Sequence, residues 1–481
     1  MEWRNLFKSS SFTVWISRGF VFVFTLSILL SIKNNFNVYD EYYYAIHLLK
    51  VSRAFHNFHL LSNPVAYITW FFASIFGFQV SAFRVLQITS SIFAALGATA
   101  LVDMGMFWGL SFKRAFIFSI PIIFCNAFIR YGTSAYPDSL ALGMGLVAVN
   151  IFIRSLSIER LNQKPRLIFV SGLFMGLACL MHMAFSLVIP VLLMGVFFIF
   201  WRNGKSLLKS WSFVFSCSVG ILLVLGLGYA VLLPLCLKCI PEQTSCYEPL
   251  EESGYGLPLT ILTGKVSSWF PGIKDLFTDF KTHGALFIPG VHSENVCLDI
   301  ALGFPRILAF ILLGWFAFKA LLSWKKNTAL ANWIIIFSMG VIFEFIFILF
   351  AGLSICRNYI YVILSVIGPL FVAMLILAFN NSVRYKFTLF LFTIIIIFYS
   401  IFGVEGVVDI TTHDNRPFKE LYKQCDVHTP KYLKFPLSLR ASLYPECYYD
   451  NTLFEKYGHL GPPAEFLEEK EVTVYVDGEV E

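Results

Sequence analysis

Charge is scarce in this chain. Only 14% of its 481 residues are Asp, Glu, Lys or Arg, while 57% are hydrophobic and the mean hydropathy is +0.72. Soluble domains carry about 25% charged residues, so this composition excludes a soluble fold, which would have nowhere to hide so much apolar surface. The short signatures of soluble enzymes are also missing: there is no G-x-x-x-x-G-K-[ST] loop, no G-x-S-x-G elbow and no H-E-x-x-H. The first of these absences argues against a nucleotide-driven pump.

Long apolar runs are present instead. Stretches such as Trp333 to Phe350 and Lys386 to Phe402 approach the roughly 20 residues that a helix needs to cross a hydrocarbon core. In lipid each backbone must satisfy its own hydrogen bonds, and runs of this length do so as helices. The expected fold is therefore an all-α polytopic membrane protein of about eleven transmembrane helices. Spans are predicted at 13-33, 84-107, 114-130, 138-155, 167-183, 184-201, 212-235, 301-321, 330-353, 358-379 and 387-404.

Loop charges assign each span a direction. Arg4 and Lys8, Lys113 and Arg114, the group from Arg154 to Arg166, Arg202 to Lys209, Lys325 and Lys326, and Arg384 and Lys386 all fall on one side. The positive-inside rule names that side cytoplasmic, with the N-terminus on it, and nucleic-acid binding is not needed to explain the basic residues. The segment Pro64 to Val80 is apolar enough to count as another span, but counting it would place the downstream basic loops outside. It is read instead as a helix lying in the interface or dipping into the membrane. The first span has no clear small-x-small cleavage site before Asn34, so it is read as a span and not as a signal peptide.

This topology divides the chain into a transmembrane domain, 1-404, and an extracytoplasmic tail or small domain, 405-481. The outer side holds a first loop at 34-83, a short one around Tyr131 to Pro137, and a long one at 236-300. From Glu405 onward the chain has 15 acidic and 8 basic residues, a charge of −7. The stretch Val472 to Val476 reads as a strand. Seven cysteines, Cys236, Cys239, Cys246, Cys297, Cys356, Cys425 and Cys447, fall at or beyond the outer surface, where disulfides are permitted. Cys236 and Cys239, with Cys246 nearby, also have spacing that a zinc site uses.

Chemistry-bearing residues gather on the same side. Asp40 and Glu41, in VYDEYYYAIHLLK, are adjacent carboxylates near an apolar surface, where desolvation and mutual repulsion favour keeping one proton, as suits a general base. Alternatively they cap a helix beginning near Tyr42. Asp138 opens the fourth span after Pro137, either as a cap or, with Arg130, as a site for phosphate and a hydroxylated substrate. His182 between two spans, Arg357 at the start of the tenth, and Lys265 in the long loop are candidate phosphate contacts; interfacial snorkelling is the alternative for the arginine. Glu344 lies inside the ninth span, where a charge is costly, and is either functional or a protonated or paired structural carboxylate. His56 and His59 are three apart but have no third ligand at matching spacing, so no metal site is assigned.

Taken in order, four stretches resemble the membrane glycosyltransferases of the GT-C type, in particular the protein O-mannosyltransferase and aminoarabinose transferase group and its bacterial branch. They are VYDEYYYAIHLLK, SNPVAYITWFFASIFGFQVSAFRVLQITSSIFAALGA, RYGTSAYPDSLALG and LIFVSGLFMGLACLMHMAFSLVIP, and they span roughly residues 14 to 200. The resemblance implies a GT-C-like helical bundle. It also implies inverting transfer of a hexosyl or pentosyl group from a polyprenyl-phosphate donor to a lipid, glycan or protein acceptor at the non-cytoplasmic face. On that implication Asp40 is the base, Glu41 assists and Asp138 positions substrate. Arg357, Arg130, His182 and Lys265 then contact the departing lipid phosphate. The chain departs from the family pattern at Ser62-Asn63-Pro64, where His-Pro-Pro is usual, and at His182, where a lysine is common. The resemblance leaves open whether a divalent metal is used. It favours a bacterial inner membrane, with endoplasmic reticulum as the alternative. Two other classes stay open: a lipid-linked sugar flippase or transporter, and a non-catalytic membrane scaffold.

Overall fold

A computed structural model describes residues 11–32, 34, 48, 60–78, 80, 82–156, 165–202, 207–238, 314, 315, 318, 329–350, 359–380, 431–433, 473–476 and 479–480. The helices are α1 (Ser11–Ser31), α2 (Ser62–Ile75), α3 (Ala82–Phe107), α4 (Phe112–Ile123), α5 (Asn126–Gly132), α6 (Asp138–Ser155), α7 (Pro165–Met181), α8 (Val188–Arg202), α9 (Leu207–Lys238), α10 (Ala329–Phe350) and α11 (Tyr359–Asn380). A 3-10 turn, Met183–Leu187, joins α7 to α8. Near the C-terminus β1 (Lys431–Leu433) pairs in parallel with β2 (Thr473–Val476), which pairs antiparallel with β3 (Glu479–Val480). Thus the stretch expected to be a strand is one.

Among the described residues five helical stretches are long and apolar enough to cross a membrane: Thr13–Ser31, Phe83–Phe107, Asp138–Ser155, Met183–Trp201 and Trp211–Val231. The protein is a multi-pass helical membrane protein. The predicted span at 387-404 lies outside the described residues, as does that at 301-321 save for isolated positions.

One predicted span is corrected. The stretch 114-130 is not a single helix: α4 ends at Ile123, and α5 starts at Asn126 with the Sγ of Cys125 accepting from the Phe128 amide. Pro121 lies in the last turn of α4; it has no N–H to give and its ring crowds the preceding turn, which loosens the ladder where the helix stops.

The segment Pro64 to Val80 does not cross. Helix α2 has 14 residues and so rises about 21 Å, short of a core about 30 Å thick. It stops at Gly77, whose φ of +75° only glycine adopts without strain; the amides of Gly77 and Phe78 turn back to the carbonyls of Ser74 and Ala73. Moreover, the chain leaves and rejoins the bundle at one end. Arg84 donates to the Leu30 carbonyl at 3.2 Å and Gln87 to the Asn34 carbonyl at 3.3 Å, which ties the start of α3 to the end of α1. The exposed Ile68, Phe71, Phe72 and Ile75 leave α2 an apolar outer face, as a helix at a membrane boundary requires.

Helix α6 stands in the middle, packed against α3 and α7. It approaches α3 so closely that a Cβ on Gly143 would fall 2.0 Å from the Phe93 carbonyl oxygen. Small residues at such crossings let backbones meet, which is how helices associate in lipid. The obstacle is backbone and cannot rotate away. Gly143→Ala is therefore expected to destabilise the bundle by about 1–3 kcal/mol, visible as a lower thermal midpoint in detergent; an unchanged midpoint would contradict this packing.

Candidate functional site

The bundle end at which α1 finishes and α6 starts brings the buried polar groups together. The turn from Arg130 to Tyr136 is stitched to its neighbours by side chains. Asn34 donates to the Arg130 carbonyl at 3.1 Å and to the Thr133 hydroxyl at 3.0 Å. Ser90 and Ser91 of α3 donate to the carbonyls of Tyr136 and Gly132 at 2.9 and 2.8 Å. These bonds fix the position from which α6 departs.

Asp138 is the first residue of α6, after Pro137 at the cap, and is fully buried. The helix N-terminus favours its negative charge. Its cap role is corrected in detail: Pro137 is the cap residue, and no side-chain cap bond forms there. What faces Asp138 is His182, whose Nε2 lies 3.2 Å from Oδ1, at ion-pair distance but without hydrogen-bond alignment.

His182 ends α7 in extended conformation, and its Nδ1 accepts from the Ala184 amide at 3.1 Å, starting the 3-10 turn. Because Nδ1 is occupied as an acceptor, the neutral ring carries its proton on Nε2, the atom facing Asp138. A carboxylate and an imidazole held in this way can store a proton between them and orient a polar ligand. The sequence places both residues on one face but does not pair them; they are 44 positions apart and meet only because α6 and α7 pack antiparallel.

Helix α2 closes this end. The Leu61 amide donates to the Leu180 carbonyl at 3.1 Å, so Asn63 and His182 lie two residues from the same junction. Asn63 is buried with neither amide atom hydrogen-bonded, and the Ser139 hydroxyl is likewise buried and unbonded. Buried polar groups are normally satisfied, so unbonded ones near this end of the bundle are open to a polar ligand. The sequence reading did not single out Asn63 as a site residue.

Of the other predicted site residues, Arg130 closes α5 beside Asn34. Asp40, Glu41, Lys265 and Arg357 lie outside the described residues, as do His56, His59 and six of the seven outer cysteines; the seventh, Cys236, falls within the last turn of α9, which runs on into the predicted loop. Cys125, Cys179 and Cys217 are buried free thiols. No group of three or more His, Cys, Asp or Glu that could hold a metal occurs among the described residues. Glu344 is wholly buried in α10 with neither carboxylate oxygen hydrogen-bonded.

At the other end of α6 is a cluster that the sequence reading missed. Arg18 of α1 grips Asp103 of α3 with three bonds of 2.9 to 3.1 Å. Arg154 reaches the same carboxylate at 2.7 Å, and Asn150 donates to it at 2.8 Å. The signal available was an aspartate in an otherwise apolar span, which lipid tolerates only when it is paired.

Comparison with known proteins gives limited likeness. No protein-family model matches the chain, and no curated protein matches it. Among solved structures it is similar to the S. cerevisiae protein O-mannosyltransferase Pmt1-Pmt2 complex bound to the sugar donor, at 14% identity over 49% of this chain and 35% of that one, with a TM-score of 0.39. It is also similar to the Archaeoglobus fulgidus oligosaccharyltransferase, at 14% identity over 89% of this chain and 62% of that one, with a TM-score of 0.49. The matched region therefore spans about a third of the first protein and three fifths of the second.

Proposed function

We propose that this protein is a glycosyltransferase taking a sugar from a polyprenyl-phosphate donor and passing it to an acceptor hydroxyl at the bundle end that carries Asp138 and His182. The observation that carries the reading is the buried Asp138–His182 pair, two residues from the junction at which the Leu61 amide bonds to the Leu180 carbonyl. The order of the four motifs supports it, since the aspartate opening α6 falls where the resemblance requires a substrate-positioning acid. The acceptor is a lipid, glycan or protein, and the positive-inside rule puts this end on the non-cytoplasmic face of the proposed bacterial inner membrane.

The chemistry is a direct displacement. The acceptor oxygen bonds to the anomeric carbon as the bond from that carbon to the phosphate oxygen breaks, the electron pair leaves with the lipid phosphate, and the configuration inverts. Asp40 takes the acceptor's proton, with Glu41 assisting. Arg130, Arg357 and Lys265 face the phosphate, where negative charge grows as the bond breaks, and the His182 ring stands beside them. Asp138 holds the His182 ring and keeps its proton on Nε2.

The test of class is transfer of radiolabelled sugar from polyprenyl-phosphate donors in vesicles reconstituted with the full chain. Transfer is expected; donor movement across the bilayer with no transfer would overturn the enzyme reading. Asp138→Asn and His182→Ala are each expected to lower transfer about 100-fold, the loss that an ångström of misplacement causes. Because the two act as a unit, the double substitution should lose little more than either alone. Fully multiplicative losses would separate them.

Glu344 favours a second reading, as a transporter, because an unbonded carboxylate inside a span is costly unless it serves a polar passenger. Glu344→Leu is expected to raise the thermal midpoint and leave transfer within about twofold, since it removes only a buried polar group. Loss of lipid-sugar movement with transfer absent throughout would instead support transport.

A further inference from the structure

Among the described residues, the end of the bundle opposite Asp138 carries several cations beside the one carboxylate of Asp103. Asp103 answers both Arg18 and Arg154, so one negative charge stands against two guanidiniums. Each guanidinium also lies against an aromatic ring, Arg18 over Trp15 and Arg154 over Phe107, both at 5.0 Å. Lys113 and Arg114 add two further charges. They follow directly on Phe112, whose ring packs edge-on against that of Phe20 at 6.0 Å, two residues beyond Arg18. Both are exposed, the first turn of α4 contains no acid, and neither has a carboxylate partner among the described residues. Two cations thus share the Asp103 carboxylate, and two more follow Phe112, whose ring packs on Phe20 of α1.

Alongside them runs an apolar strip. Trp15, Ile16, Phe20 and Val23 are each at least half exposed, and their spacing keeps them on one side of α1. A cationic rim alongside an exposed apolar helix face matches one kind of molecule in shape and charge: an amphiphile with an anionic head and hydrocarbon tails. A soluble phosphate would leave the strip uncovered, and a zwitterionic lipid would leave the charge unanswered.

We infer that Arg18, Lys113 and Arg114, with the α1 face from Trp15 to Val23, form a site for an anionic glycerophospholipid. The lipid phosphate contacts the cations and an acyl chain lies along Ile16, Phe20 and Val23. The occupant is not the sugar donor, because Asp138 and His182 lie at the far end of α6, about 24 Å along the helix from Arg154. The lipid covers the outer side of the Arg18–Asp103 bond and so holds α1 against α3 and α4.

The test uses full-length protein in neutral detergent, with lipid binding followed by native mass spectrometry. The probes are dioleoylphosphatidylglycerol, dioleoylphosphatidylcholine and inorganic phosphate. Wild type is expected to bind phosphatidylglycerol at least about tenfold tighter than phosphatidylcholine, in keeping with the attraction of several cations for an anionic head. Lys113→Gln with Arg114→Gln should abolish that preference. Lys205→Gln with Lys209→Gln, which removes equal charge elsewhere in the sequence, should leave it intact. Equal binding of the two lipids by wild type, equal loss in both double variants, or displacement of phosphatidylglycerol by inorganic phosphate at the same concentration would each overturn the site. The first and third measurements need no variant and hold even if a substitution disturbs folding.

Discussion

Asp40→Asn is expected to lower sugar transfer by about 10²–10⁴-fold, the range that a positioned general base contributes. Asparagine keeps the shape and the hydrogen-bonding reach of aspartate but cannot accept a full proton, so binding of the lipid donor should change little while turnover collapses. Glu41→Gln should have a smaller effect, because its assistance is electrostatic. Single-turnover transfer in reconstituted vesicles, with donor binding measured separately, reads both quantities. Retained transfer in Asp40→Asn would remove Asp40 from the base role. A loss confined to donor binding would make it a substrate contact instead. The prediction rests on the sequence motif and on Asn34, six residues before Asp40, which is pinned to Arg130 and Thr133 at the end where Asp138 and His182 meet.

Asp103→Ala is expected to be the costliest single truncation for stability, at about 3–5 kcal/mol, as for removal of one partner from a buried ion pair. Asp103 is 4% exposed and joins three helices, since Arg18 comes from α1, Arg154 and Asn150 from α6, and the carboxylate from α3. Without it, two guanidiniums face each other with nothing between them. Arg154 keeps its bond to the Asp103 backbone carbonyl, so the variant should fold but melt earlier. Thermal denaturation in detergent measures the effect, and a loss below about 1 kcal/mol would place the cluster in water, where ion pairs contribute little. Sugar transfer by the folded fraction should be near that of wild type, since the proposed site is at the other end of α6.

The spans were legible because lipid imposes a simple rule, that a long apolar run must satisfy its own backbone. Thus 138-155 matches α6 residue for residue, and 84-107 and 358-379 match α3 and α11 to within two residues. The loop charges correctly kept α2 from being counted as a crossing. The break between α4 and α5 was not legible, because hydropathy continues unbroken through Phe124 and Cys125 and only local geometry near Pro121 interrupts the helix. The 3-10 turn after His182 was hidden for the same reason.

The candidate site divides along similar lines. Sequence alone determined that this is a helical membrane protein and that Asp138 and His182 belong to one of its faces, because hydropathy sets the spans and charge sets their direction. Only the tertiary structure decided which polar groups meet. Asp138 faces His182 because α6 and α7 pack antiparallel, the start of α2 joins the end of α7 through the Leu61–Leu180 bond, and Asp103 is clasped by arginines from two other helices. Hydropathy is a property of each segment by itself, whereas these pairings depend on how helices rotate and slide against one another, and close backbone contacts such as Gly143 against Phe93 set that packing.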